Sequence, residues 1–168
     1  MKARICVAPC IALLISTLAP AGAHNEATRI LPGTTVIQSQ SPLGIGVVTM
    51  VTKVLRGDDA GSCPASRAWT ALGPNSAAVI EEMKITINGN SIPVPLSVYA
   101  SLFEPGGASL KFDDGTFVLR IDGADGGEAY FVLLYFDAKG VNRMLVYDSE
   151  FPDHPTEETR YHRVVSPD

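Results

Sequence analysis

The stretch Leu110-Lys111-Phe112-Asp113-Asp114-Gly115-Thr116-Phe117-Val118-Leu119-Arg120-Ile121 decides the fold class. Leu110 and Phe112 alternate with Lys111, and Phe117, Leu119 and Ile121 alternate with Val118 and Arg120. Asp113-Asp114-Gly115 between them supplies the residue types of a tight turn. A period of two sends successive side chains to opposite faces of a sheet, so this is a hairpin of antiparallel strands with one face in a core.

Towards the C-terminus the pattern continues. After the loop Asp122 to Glu128, Tyr130 to Phe136 is apolar on both faces, which predicts a central strand covered on both sides. Asp137-Ala138-Lys139-Gly140 turns, and Val141 to Tyr147 alternates as a fourth strand, completing an antiparallel meander. Towards the N-terminus, Leu96, Tyr99, Ala100 and Phe103 recur at helical spacing behind Pro95, and Glu104-Pro105-Gly106-Gly107 ends that helix. Asn88-Gly89-Asn90 turns between the strand Val79 to Ile87 and an edge strand at Ile92-Pro93-Val94-Pro95. Val47 to Leu55 is rich in β-branched residues and long enough to cross a sheet. The predicted fold is mostly β: an antiparallel meander in a small sandwich or open barrel, with one short helix. Residues 44–168 form its single domain. Residues 24–43 read as a flexible N-terminal segment, at most a weak edge strand at Thr34 to Gln38, outside the core.

Met1 to Arg4 is a basic n-region, Ile5 to Leu18 an apolar run, and Ala21-Gly22-Ala23 a small-x-small cleavage pattern. Residues 1–23 are therefore expected to be a cleaved signal peptide, leaving no stable membrane anchor and placing the protein in the periplasm or outside the cell. Cys6 and Cys10 leave with it. Cys63 alone remains, as a free thiol, a buried one or the link of a dimer. The chain has 168 residues, 46% of them hydrophobic, and 13 Lys and Arg stand against 18 Asp and Glu for a net charge of −5. Loss of Lys2 and Arg4 makes it more negative, which argues against nucleic acid as a partner.

The run Ile121-Asp122-Gly123-Ala124-Asp125-Gly126-Gly127-Glu128-Ala129-Tyr130, followed by Phe151-Pro152-Asp153 and Glu157-Glu158-Thr159-Arg160-Tyr161, resembles small exported proteobacterial proteins of unknown function. The resemblance covers the C-terminal half. It implies a Gram-negative periplasmic setting and no particular activity.

Alternate turns of a meander share one end of the sheet. Asp122, Asp125 and Glu128 are thus expected beside Asp148 and Glu150, as carboxylates able to face a partner or, on Gly-containing loops, to ligate Ca²⁺. The spacing does not match an EF-hand loop, and Asp and Gly are the residues turns favour in any case. Cleavage after Ala23 would leave His24 at the amino terminus, where its imidazole and amine chelate copper, with His154 or His162 as a further ligand. His154 also sits among carboxylates as an acid–base candidate, in a proline-flanked loop that reads as solvated. The sequence carries no Gly-x-Ser-x-Gly elbow, Ser-x-x-Lys, His-Glu-x-x-His, P-loop or dinucleotide fingerprint.

These features predict a non-catalytic exported binding protein that needs no cofactor. Acidic pairs at Asp58-Asp59, Glu81-Glu82, Asp113-Asp114 and Glu157-Glu158 would steer it towards a basic protein, as an inhibitor or immunity-type partner of a basic enzyme. The alternatives are a copper or calcium carrier and a small hydrolase of unrecognised type.

Overall fold

A computed structural model describes residues 27–55, 77–124 and 126–162. The expected signal peptide, His24, Cys63 and its loop, Trp69 and Asp125 lie outside the described residues. Ten strands follow in order: β1 (Thr28–Arg29), β2 (Gly33–Ser41), β3 (Gly44–Leu55), β4 (Ala77–Ile87), β5 (Asn90–Ile92), β6 (Pro105–Asp113), β7 (Thr116–Gly123), β8 (Tyr130–Asp137), β9 (Gly140–Asp148) and β10 (Glu157–Arg160). They form two antiparallel sheets, one ordered β1-β6-β7-β8-β9-β10 and the other β2-β3-β4-β5. The architecture is a small β-sandwich rather than a closed barrel.

The expected meander is β6 to β9, and its registers follow the alternation of the sequence. Phe112 pairs with Phe117 across the first turn, Leu119 with Leu134, and Leu134 with Met144. These residues are buried or half-buried on one face. They meet Val48, Met50, Met83, Ile85 and Ile87 of the opposing sheet in a single core. At its centre Phe117 stacks on Phe136 with ring centroids 5.5 Å apart and receives Phe112 edge-on at 5.1 Å. Gly46 of β3 lies over this stack. A methyl group there would fall 2.6 Å from the Phe117 ring, so the absent side chain lets the sheets approach.

Four expectations change in detail. The segment expected to stay outside the core supplies β1, the nine-residue edge strand β2, and the buried side chains Ile30 and Ile37. Its polar residues conceal the strand because an edge strand buries only one face, and Ile37 is the central apolar residue of that face. The short helix is a single 3₁₀ turn, Leu96–Val98. Val98 and Leu102 enter the core while Leu96 stays 57% exposed. One turn between prolines and a strand cannot repay helix nucleation, so the chain re-extends and Phe103 bridges to Val79 of β4.

The third change concerns β8, whose inner row is buried as expected. No second layer is needed over its outer row, which neighbours in the same sheet screen. Phe131 stacks on Tyr147 at 4.5 Å, and the Arg120 guanidinium lies 3.9 Å above the Phe131 ring. Leu133 and Tyr135 remain half-exposed. The fourth is a register shift in β3–β4, where Val51 pairs with Glu82 but Thr52 with Ile80. The extra residue, Glu81, lets two consecutive glutamates both face solvent, Glu81 on Lys53 and Glu82 on Lys84, each at 2.7 Å.

Candidate functional site

Gly123 and Tyr130 pair across β7 and β8, and the Tyr130 ring occupies the space a Gly123 side chain would need. The ring is thereby laid along the sheet, 5.4 Å from the Phe103 ring. Its hydroxyl accepts the Phe103 N–H at 3.0 Å and donates to the Phe103 carbonyl at 2.7 Å. One tyrosine thus holds the segment leading into β6 against the start of β8.

Glu104 completes the junction. It adopts a left-handed backbone conformation with φ 45°, uncommon for a residue with a side chain. Its N–H donates to the Ala78 carbonyl at 2.7 Å, its carboxylate accepts the Ala78 N–H at 2.8 Å, and its carbonyl accepts the Ala124 N–H at 2.9 Å. One residue therefore ties the start of β4 in one sheet to the end of β7 in the other.

Beside this junction lies an open groove of about 290 Å³. Phe103, Tyr130 and Val146 give it aromatic and apolar walls, Tyr147 borders it with its ring turned to Phe131 in the outer row, and Glu128 and Asp148 supply carboxylates. Glu128 ends a 3₁₀ turn, Gly126–Glu128, held by the Ala129 N–H donating to the Gly126 carbonyl at 3.1 Å. The Ser149 N–H donates to the Ala129 carbonyl at 3.0 Å and links this turn to the one after β9. Asp148 accepts the Glu150 N–H at 2.8 Å, which shapes that second turn.

The fold therefore sorts the carboxylates expected at this end of the sheet. Glu128 and Asp148 share the groove, and exposed Glu150 stands next to it. Asp122 does not join them. It sits in the outer row of β7, where its Oδ1 accepts from Arg120 Nε at 2.9 Å and Nη2 at 2.6 Å. A cation on the 122–128 loop would compete with that guanidinium. Among the described residues no Lys or Arg pairs with Glu128 or Asp148, in contrast to Glu81, Glu82, Asp113, Asp122 and Glu158.

His154 and His162 are both exposed and stand at opposite ends of β10. Among the described residues no three His, Cys, Asp or Glu side chains gather as a metal-holding group. Among the same residues no helix is long and apolar enough to cross a membrane.

Two groups titrate away from their ordinary ranges. On β10 the Glu158 carboxylate accepts from Arg160 at 2.7 Å and lies 3.1 Å from Arg143 Nε, and these cations hold its pKa below the usual glutamate value. Burial against the core raises the Tyr161 hydroxyl above its usual value.

The topology of the meander, legible in the sequence, brings Glu128 and Asp148 to one end of the sheet. The aromatic wall is not legible in the sequence, where Tyr130 reads as a strand residue and Phe103 as part of a helix. The signal for the junction was the Gly123 to Tyr130 spacing, since a glycine in a strand marks a close approach. Comparison with known protein families, curated proteins and solved structures finds no match to this chain.

Proposed function

We propose that this chain is an exported binding domain whose groove at Glu128 and Asp148 accepts a basic side chain of a protein partner. The observation that carries the reading is a pair of carboxylates, with no cation of their own among the described residues, set between aromatic walls. Arginine and lysine present an apolar stem and a cationic head, so rings along the stem and carboxylates at the head match both halves. A guanidinium over Tyr130 would also gain from the ring face. The net charge of −5 favours approach of a positive protein from a distance. In its most concrete form the domain is an inhibitor or immunity-type partner of a basic enzyme in the periplasm. Many enzymes that act on anionic cell-wall polymers are themselves basic.

The test is an amide NMR titration with a short capped peptide containing one arginine, beside the same peptide with citrulline. The arginine peptide is expected to shift Gly127, Glu128, Tyr130, Tyr147 and Asp148, and the uncharged citrulline peptide far less. Equal shifts from the two peptides, or shifts confined to other regions, would refute the assignment.

A further inference from the structure

Among the aromatic residues described, Phe151 alone is exposed. At 67% it shows more surface than any other large apolar residue described, and no ring of the described residues packs on it. One exposed ring would mean little by itself. Its mounting and its neighbours give it meaning.

The turn Asp148 to Phe151 is closed by the Phe151 N–H, which donates to the Asp148 carbonyl at 3.1 Å, while the Asp148 carboxylate accepts the Glu150 N–H at 2.8 Å. The Ser149 N–H on the Ala129 carbonyl fastens this turn to the one carrying Glu128. At the far end of the loop the Thr156 N–H and hydroxyl both donate to the Val146 carbonyl, at 2.8 and 3.1 Å. Pro152 and Pro155 fix two backbone torsions in between. The loop is thus held at both ends and stiffened within, although every residue from Ser149 to Thr156 is exposed. A side chain mounted this way loses little freedom on meeting a partner, which suits an anchor.

The first and last residues of such a turn have Cα atoms within about 7 Å of each other. Phe151 therefore stands at the rim of the groove that Asp148 lines. An extended chain sends every second side chain to the same side, at intervals of about 7 Å. We infer that the groove and Phe151 form one surface, which takes an extended segment of a partner protein carrying a basic residue and, two positions away, an apolar one. On the groove reading above, from which this follows, the basic residue enters between Glu128 and Asp148 while the apolar one covers the Phe151 ring. Charge narrows the occupant. Asp148, Glu150 and Asp153 flank Phe151 in sequence, and among the described residues none of the three pairs with a Lys or Arg. An anionic membrane surface, or a second copy of this chain with its −5, is repelled here, whereas an apolar residue beside a cation is drawn in.

Amide NMR titrations of the purified chain with two capped pentapeptides test this. Both peptides carry arginine at the centre between two serines, and the outer residues are leucine in one and serine in the other. The leucine peptide should bind at least about threefold more tightly, and should shift Phe151 as well as Glu128 and Asp148. In Phe151→Ala the two peptides should bind alike. Leu96→Ala removes an exposed apolar side chain from another part of the surface and should keep the difference. Equal binding of the two peptides to the unaltered chain overturns the inference and leaves the groove reading standing. So does a leucine gain that survives Phe151→Ala, or one that Leu96→Ala removes as completely. A pair of peptides that shifts nothing in the groove refutes both readings.

Discussion

Gly46→Ala is the sharpest test of how the two sheets fit. Gly46 is outside the set of glycines with positive φ, so alanine can adopt the local backbone, and the substitution probes space alone. The new Cβ would lie 2.6 Å from Phe117 Cε1 and 2.9 Å from both Cδ1 and Cζ. Carbon–carbon contacts settle near about 3.5–4.0 Å, so ring and strand must separate by about 1 Å. Phe117 has no exposed surface and is held by Phe136 on one side and Phe112 on the other, which leaves the ring nowhere to turn. Overpacking of this kind costs about 1–3 kcal/mol. Replacing glycine also restrains the unfolded chain, which returns about 0.4–1 kcal/mol. The net expectation is about 1–2 kcal/mol of destabilisation, or a melting temperature lower by roughly 3–10 °C. Urea unfolding of the wild type, Gly46→Ala, Phe117→Leu and the double variant measures it. The smaller leucine should make room, so that alanine costs less in that background by about 1 kcal/mol. A neutral or stabilising Gly46→Ala, or the same cost in both backgrounds, would refute the packing argument.

Tyr130→Phe keeps the ring over Gly123 but strips the Phe103 peptide of both hydrogen bonds, and should cost about 1–3 kcal/mol in the same urea assay. Asn88→Ala should cost about 1–2 kcal/mol, because the amide side chain accepts the Ile45 N–H at 3.0 Å and donates to the Leu43 carbonyl at 2.8 Å, joining two turns. Tyr161 has a raised pKa in the folded state, so the unfolded chain releases its proton first. Stability should therefore fall as the pH rises from about 10 through the folded value, and Tyr161→Phe should flatten that decline in thermal melts. Glu158 has a lowered pKa, so its contribution is present above the ordinary value of 4.5 and is lost as the pH falls through the folded one. Glu158→Gln should blunt that part of the acid loss, and an unchanged acid limb would contradict the Arg160 and Arg143 pairing.

The meander was legible because each of its strands carries its own signal. Phe117, Leu119 and Ile121 mark a face by alternation, and Asp113-Asp114-Gly115 and Asp137 to Gly140 mark the turns between. What stayed hidden depends on contacts between residues distant in the chain. Glu104 reads as the end of a helix, yet its work is to bind Ala78 and Ala124, and no local pattern encodes two partners on different sheets. Phe131 looked like the second face of a strand buried on both sides because its cover, Arg120 and Tyr147, comes from neighbouring strands of the same sheet. Residues 24–43 read as a flexible segment with at most a weak edge strand at Thr34 to Gln38 because most of its residues are polar, and the full length of its pairing with β3 is visible only in the register. For the site, topology placed Glu128 and Asp148 at one end of the sheet. It could not show that Asp122, on the opposite face, is engaged by Arg120.

The central claim, a groove that takes a basic side chain from a partner protein, is tested most directly by comparing the immobilised chain with its Glu128→Lys, Asp148→Lys double variant. Both would be challenged with extract from the native source, with salt-gradient elution and identification of what each retains. The account predicts a basic protein held by the unaltered chain, released as salt screens the carboxylates, and lost from the double variant. Retention of the same protein by both, or retention of no basic protein by either, would contradict it.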